Sequence, residues 1–107
     1  MAELKDILYK VHITSTSGNM NVDVKGIAFD SRKVQPGFLF VAVKGTQSDG
    51  HAFIEKSVVD GAVAVVCEKL PEAISEKVTY VTGKESAKAR GIIAGNFYGN
   101  PAAKLKL

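Results

Sequence analysis

A single cysteine in 107 residues leaves no internal disulfide to be made, and Cys67 stands inside the apolar run Ala62-Val63-Ala64-Val65-Val66-Cys67. A reduced, cytoplasmic setting is therefore expected, with Cys67 inert in a buried strand. Long apolar runs are missing too. No stretch approaches the ~20 residues that a membrane-spanning helix needs. The amino terminus, Met1-Ala2-Glu3-Leu4-Lys5-Asp6-Ile7-Leu8, breaks its apolar residues with charge and has no signal-peptide core. Neither secretion nor a membrane partner is expected. Nor is charge of one sign concentrated: 14 basic and 11 acidic residues leave a net charge of +3, and the lysines are scattered from Lys5 to Lys106. That spread suits a small anionic ligand and excludes the dense basic face of a nucleic-acid binder.

The patterns of familiar catalytic and metal sites are also lacking. His12 and His51 lie far apart with no cysteine or carboxylate pattern around them, so no metal site is expected. Ser31 has no histidine at a recognisable spacing, which leaves hydrolase chemistry unsupported. Gly83-Lys84-Glu85-Ser86 resembles the end of a phosphate-binding P-loop, but Val78 stands where that motif needs its first glycine. No catalytic residue is assigned to this chain.

What is present is an alternation of helical and strand-like segments. Leu4, Ile7, Leu8 and Val11 recur at helical spacing, and the polar stretch Thr14-Ser15-Thr16-Ser17-Gly18-Asn19 reads as a loop after that helix. Val22-Asp23-Val24 alternates like a half-buried strand. Gly26-Ile27-Ala28-Phe29 leads as a strand into the polar cluster Asp30-Ser31-Arg32. After the turn signal Pro36-Gly37, the run Phe38-Leu39-Phe40-Val41-Ala42-Val43 has the composition of a strand buried on both faces. Residues 44–50 read as a loop, and residues 51–60 as a short helix capped by Asp49, ended by Gly61 and turning Phe53, Ile54 and Val58 inward. Residues 63–67 and 78–81 are two further strand candidates. Thr82 and Glu85 stand at capping-box spacing before the stripe Ala89, Ile92, Ile93 and Phe97, whose helix should stop at Gly99-Asn100-Pro101. The expectation is one α/β domain over residues 1–107, with a mixed sheet flanked by helices and central strands around Phe40 and Val65. Leu105-Lys106-Leu107 looks like a strand begun and not finished, as in a piece of a longer protein.

Two segments invite a ligand. The loop 45–50 follows a buried strand and precedes a helix, a setting in which backbone N–H groups converge on an anion such as a diphosphate. Asp30-Ser31-Arg32 offers an acceptor, a hydroxyl and a guanidinium at a strand end, where open α/β sheets bind ligands. An ordinary capped turn would produce the first string, and a simple Asp30–Arg32 pair the second. Read residue by residue, both alternatives stay open.

The combined string is more specific: Phe29-Asp30-Ser31-Arg32-Lys33-Val34-Gln35-Pro36-Gly37-Phe38-Leu39-Phe40-Val41-Ala42-Val43-Lys44-Gly45, then Asp49-Gly50-His51-Ala52-Phe53-Ile54, then Gly61-Ala62. It resembles the first domain of the Mur ligases that act late in building the peptidoglycan peptide, over roughly residues 20–107. Two ligases of the family share that domain, the one that adds the third amino acid to UDP-MurNAc-L-Ala-D-Glu and the one that adds D-alanyl-D-alanine. The tail Phe97-Tyr98-Gly99-Asn100-Pro101 resembles the junction that leads into the ATP-binding domain of the former.

The resemblance implies an ATP- and Mg-dependent amide ligase, which phosphorylates a carboxylate of the UDP-MurNAc-dipeptide so that an amino acid attacks the acyl phosphate. This domain would hold the UDP end, carry no cofactor itself, and have as partners the UDP-MurNAc-dipeptide and the central and C-terminal domains of the same protein. By the same resemblance, Phe29 meets the uridine through its backbone and Ser31 through its side chain, while Thr46, Gln47 and Ser48 belong to the loop that closes over the diphosphate. Asp30, Arg32 and Asp49 match the family pattern as turn-shaping residues. The rival readings are a non-catalytic nucleotide-binding module and an interaction domain without a ligand.

Overall fold

A computed structural model describes residues 2–19, 21–43, 53–71 and 74–99. The chain opens with β1 (Ala2–Glu3) and α1 (Leu4–Ile7), followed by β2 (Ile13–Ser17), β3 (Asp23–Val24) and β4 (Gly26–Ala28). A 3-10 turn (Ser31–Lys33) then leads to β5 (Phe38–Val41), α2 (Ile54–Val59), β6 (Ala64–Cys67), β7 (Thr79–Gly83) and α3 (Ser86–Gly99). β1 and β3 form a small antiparallel pair, and the main sheet runs β2-β7-β6-β5-β4. β4, β5, β6 and β7 are parallel, and β2 joins β7 antiparallel. The mixed sheet and its interior strands around Phe40 and Val65 are as expected from the sequence.

Each parallel strand is apolar at consecutive positions because both of its faces are covered. Ile27, Leu39, Val41, Ala64, Val66 and Val81 pack with Leu4 and Ile7 of α1 and with Ala89 and Ile93 of α3. Ala28, Phe40, Val65, Cys67 and Tyr80 point the other way and pack with Ile54 of α2. The result is three layers, helix, sheet and helix. α1 and α3 are also tied by a polar contact: Asn96 Nδ2 donates to the carbonyls of Ile7 at 2.8 Å and Tyr9 at 2.6 Å. These are acceptors that a helix end leaves without an intrahelical partner.

One glycine fastens the α2–β6 connection. Gly61 has φ +109°, and a Cβ there would lie 2.6 Å from the Pro36 Cα, while its carbonyl accepts from the Gly37 N–H at 3.0 Å. Only glycine combines that conformation with so close an approach. The expected helix stop at Gly61 is thus also a docking point for the Pro36-Gly37 turn.

Three expectations are corrected. The polar stretch from Thr14 is no loop: it is most of β2, an edge strand with Thr14, Ser15 and Thr16 exposed. Hydroxyls from both strands join its ladder to β7, with Thr14 Oγ1 donating to the Thr82 carbonyl at 3.1 Å and Thr82 Oγ1 to the Ser15 carbonyl at 3.1 Å. Thr82 is accordingly a residue of β7 and not a helix cap. Phe53, expected to face inward, is 45% exposed, and it is Ser57, donating to the Ile54 carbonyl at 2.8 Å, that sits in the core beside Ile54. The proposed Asp49 cap and the Asn100-Pro101 helix stop lie outside the described residues; α3 itself runs to Gly99.

Candidate functional site

β4 pairs with β5 only as far as Ala28↔Phe40. Phe29 therefore leaves the sheet as a bend. The Phe29 side chain is half-buried and packs on the α1/α3 layer, where the Arg90 guanidinium of α3 lies 5.8 Å from its ring centre. Asp30 faces water. Ser31, 5% exposed, opens the 3-10 turn that packs against α2.

Asp30 holds the turn closed. Its carboxylate accepts from the Arg32 backbone N–H at 2.9 Å, from Arg32 Nε at 3.1 and 3.2 Å, and from Arg32 Nη2 at 2.8 Å. The backbone contact caps the 3-10 turn, and the guanidinium contacts form a planar two-point pair. The Arg32 side-chain hydrogen bond, then its backbone N–H, hold the Asp30 carboxyl down to about 2, and the same pair raises Arg32. The simple pairing that the sequence left open is realised, as is the turn-shaping role given to Asp30 and Arg32. Both charges are spent within the turn, and Ser31 is the hydroxyl carried between them.

The turn sits at the C-terminal end of β4, on the side of the parallel sheet where the chain also leaves β5 at Ala42-Val43, β6 at Glu68 and β7 at Lys84. That is the side on which open α/β sheets bind ligands. The structure brings Phe29 and Ser31 together there, the first packed on the α1/α3 layer and the second buried in the turn that lies against α2. Thr46, Gln47 and Ser48 lie outside the described residues, as does His51. Arg90 was not singled out in the sequence; its partner is a ring on a distant element, and no local spacing announces such a pair.

Other features separate from this turn. A cleft of about 400 Å3 between His12 and Lys88, and another of about 350 Å3 beside Ile74 and Tyr80, include neither Phe29 nor Ser31. Cys67 lies buried in β6, its Sγ donating to the Val81 carbonyl at 3.8 Å, and burial pushes its thiol up to about 11, against a smaller opposing effect of the Lys69 backbone N–H. A thiol so held is no nucleophile at neutral pH. Gly83-Lys84-Glu85-Ser86 does join a strand to a helix, yet Val78 stands at the opposite end of β7, roughly 15 Å away at the usual rise per residue. It cannot share a phosphate loop with Gly83. Among the described residues, no group of three His, Cys, Asp or Glu side chains could hold a metal ion, and no helix is long and apolar enough to cross a membrane.

Comparison with known proteins agrees with this architecture. The UDP-N-acetylmuramoyl-L-alanyl-D-glutamate--2,6-diaminopimelate ligase of Cytophaga hutchinsonii is 53% identical over 98% of this chain, and the ligase of the same name from Bacteroides fragilis 45% identical over 98%. The chain spans about a fifth of these relatives, 22% of each. Among solved structures, MurF from Acinetobacter baumannii superposes with a TM-score of 0.65 at 21% identity, over 87% of this chain and 20% of that one. The MurF ligase of Thermotoga maritima, in complex with ADP, gives a TM-score of 0.59 at 30% identity, over 72% and 17% of the two chains. Residues 23–98 match the family described as "Mur ligase family, catalytic domain", a span from β3 through α3 that holds the whole parallel sheet and the turn after β4, and on that match the chain belongs to the Mur ligase family.

Proposed function

We propose that residues 1–107 form the N-terminal, UDP-MurNAc-binding domain of a ligase that joins 2,6-diaminopimelate to UDP-MurNAc-L-Ala-D-Glu, a MurE enzyme of cytoplasmic peptidoglycan synthesis. The observation that carries this reading is the turn after β4. It leaves the ladder at the ligand-binding end of a parallel sheet with its one hydroxyl already packed in place. Support for this ligase over the one that adds D-alanyl-D-alanine comes from identity: 53% with the diaminopimelate ligase of Cytophaga against 30% with the Thermotoga MurF.

In this reading the Phe29 main chain, released from strand pairing, meets the uridine, and the Ser31 hydroxyl makes a hydrogen bond to it. Because Ser31 is buried in a turn that the Asp30–Arg32 clamp closes, little ordering entropy opposes that bond. The backbone N–H groups of Thr46, Gln47 and Ser48 would face the diphosphate. Binding energy gathered at the UDP end, far from the reacting carboxyl, serves to position the dipeptide for chemistry elsewhere in the enzyme. When bound, ATP and Mg supply the phosphoryl group and the charge neutralisation for activating that carboxyl. In this reading the chain's share is the holding of the substrate, and the remainder of the enzyme would hold ATP.

Calorimetric titration of UDP-MurNAc-L-Ala-D-Glu into the full-length enzyme tests this. Ser31→Ala should leave the fold intact and remove a hydrogen bond of about 0.5–1.5 kcal/mol, a loss of roughly twofold to somewhat over tenfold in affinity. Gln47→Pro, which deletes a backbone donor, should also weaken binding, whereas Thr46→Ala should not. Parent-like binding by Ser31→Ala together with a loss in Thr46→Ala would overturn this division of roles.

A further inference from the structure

The turn after β4 is secured on one side by residues of its own sequence and on the other by a residue of α3. Within the turn, the Asp30–Arg32 pair fixes the backbone around the buried Ser31, and the turn as a whole lies against α2. On the α3 side, the sheet no longer helps, because the β4–β5 pairing stops at Ala28. There the Phe29 ring is held by its packing on the α1/α3 layer and by Arg90, whose guanidinium lies over it at 5.8 Å. Arg90 is carried by a well-anchored stretch of helix, since Ala89 beside it and Ile93 one turn on are both buried in the core.

We propose that Arg90 is a positioning residue of the nucleotide site: by resting on the Phe29 ring, it fixes the main chain that meets the uridine. This rests on the reading of the turn as the uridine site. The Arg90 cation acts through the Phe29 ring, as a cation–π contact within the usual ~6 Å reach, and touches no reacting atom. Arginine suits the role because its flat guanidinium stacks on an aromatic face, whereas a lysine presents only a point charge.

The test is steady-state kinetics of the full-length enzyme with UDP-MurNAc-L-Ala-D-Glu. A cation–π contact at a partly exposed site is worth about a two- to fivefold change in affinity. Arg90→Ala should raise the KM for the UDP substrate by about that factor, leaving kcat and the KM for ATP unchanged, and Arg90→Lys should recover part of the loss. In a Phe29→Leu background, Arg90→Ala should cost nothing further, since the ring it acts through is gone. An unchanged KM in Arg90→Ala would overturn the proposal. So would an undiminished effect in the Phe29→Leu background, which would mean that Arg90 meets the ligand directly, or an equal rise in the KM for ATP, which would mean a general loss of structure. Calorimetry of the parent enzyme separates the two levels: if it does not bind the UDP substrate, the site reading falls and this proposal with it, whereas binding by the parent and unchanged binding by Arg90→Ala remove only the role of Arg90.

Discussion

At one edge of the sheet β2 exposes Thr14, Ser15 and Thr16, and at the other β4 buries Gly26, Ile27 and Ala28. Both are strands, for different reasons. β2 is held by its ladder to β7 and by the hydroxyls of Thr14 and Thr82, with a register shift between Ile13 and Ser15. Its polar surface also keeps the edge from recruiting another strand. β4 is a strand because Ile27 and Ala28 pack into opposite layers of the core. The strand ends where its pairing with β5 stops, at Ala28↔Phe40, and the chain is released at the turn that carries Ser31. The comparison teaches that the site is placed where a strand held by packing parts from its neighbouring strand.

The largest expected effect tests that contrast directly. Ile27→Ala removes a buried side chain from the α1/α3 layer and should lower stability by about 2–5 kcal/mol, while Thr16→Ala on the exposed face of β2 should stay within about 0.5 kcal/mol. Denaturant unfolding of the two variants measures both, and equal losses would break the distinction between the edges. A smaller effect should come from Thr82→Val, which deletes the hydroxyl bond to the Ser15 carbonyl and should cost about 0.5–1.5 kcal/mol. Amide exchange should then quicken in β2 and not in β4; a uniform change would mean that β2 is held by packing after all.

The smallest effect concerns pH. The Asp30 carboxyl is held below its ordinary 3.8, at about 2, mainly by the Arg32 side chain. What the pair contributes to the turn is therefore complete above the ordinary value and is lost as the pH falls through about 2. An NMR titration of the Asp30 carboxyl should show this low midpoint, moving up toward the ordinary value in Arg32→Ala. A midpoint near 3.8 in the parent protein would mean that the clamp does not close.

Much of the fold was legible in the sequence because burial on two faces leaves a plain record: the run from Phe38, the run ending at Cys67 and the stripe of Ala89, Ile92, Ile93 and Phe97 each declare their element. β2 was not legible. Threonine and serine between turn signals look like a loop, and only the backbone of β7 alongside makes them a strand. For the same reason Thr82 was misread as a cap: its hydroxyl is taken up by the Ser15 carbonyl, a partner far away in sequence. Of the candidate site, Phe29 and Ser31 could be named from the string around them, and Asp30 and Arg32 could be seen as a possible pair because they are two residues apart.

The sequence by itself determined an α/β layer structure with a mixed sheet, apolar in its central strands, and a polar turn after the strand at Ile27, since periodicity and local pairing are properties of neighbouring residues. Tertiary structure alone set the Phe29 ring on the α1/α3 layer and the turn of Ser31 against α2, and it alone brought Arg90 over the Phe29 ring. The physical reason is that the direction of a side chain beyond the end of a ladder depends on what packs above and below the sheet. Those layers come from residues distant in the chain, whose approach no local pattern encodes.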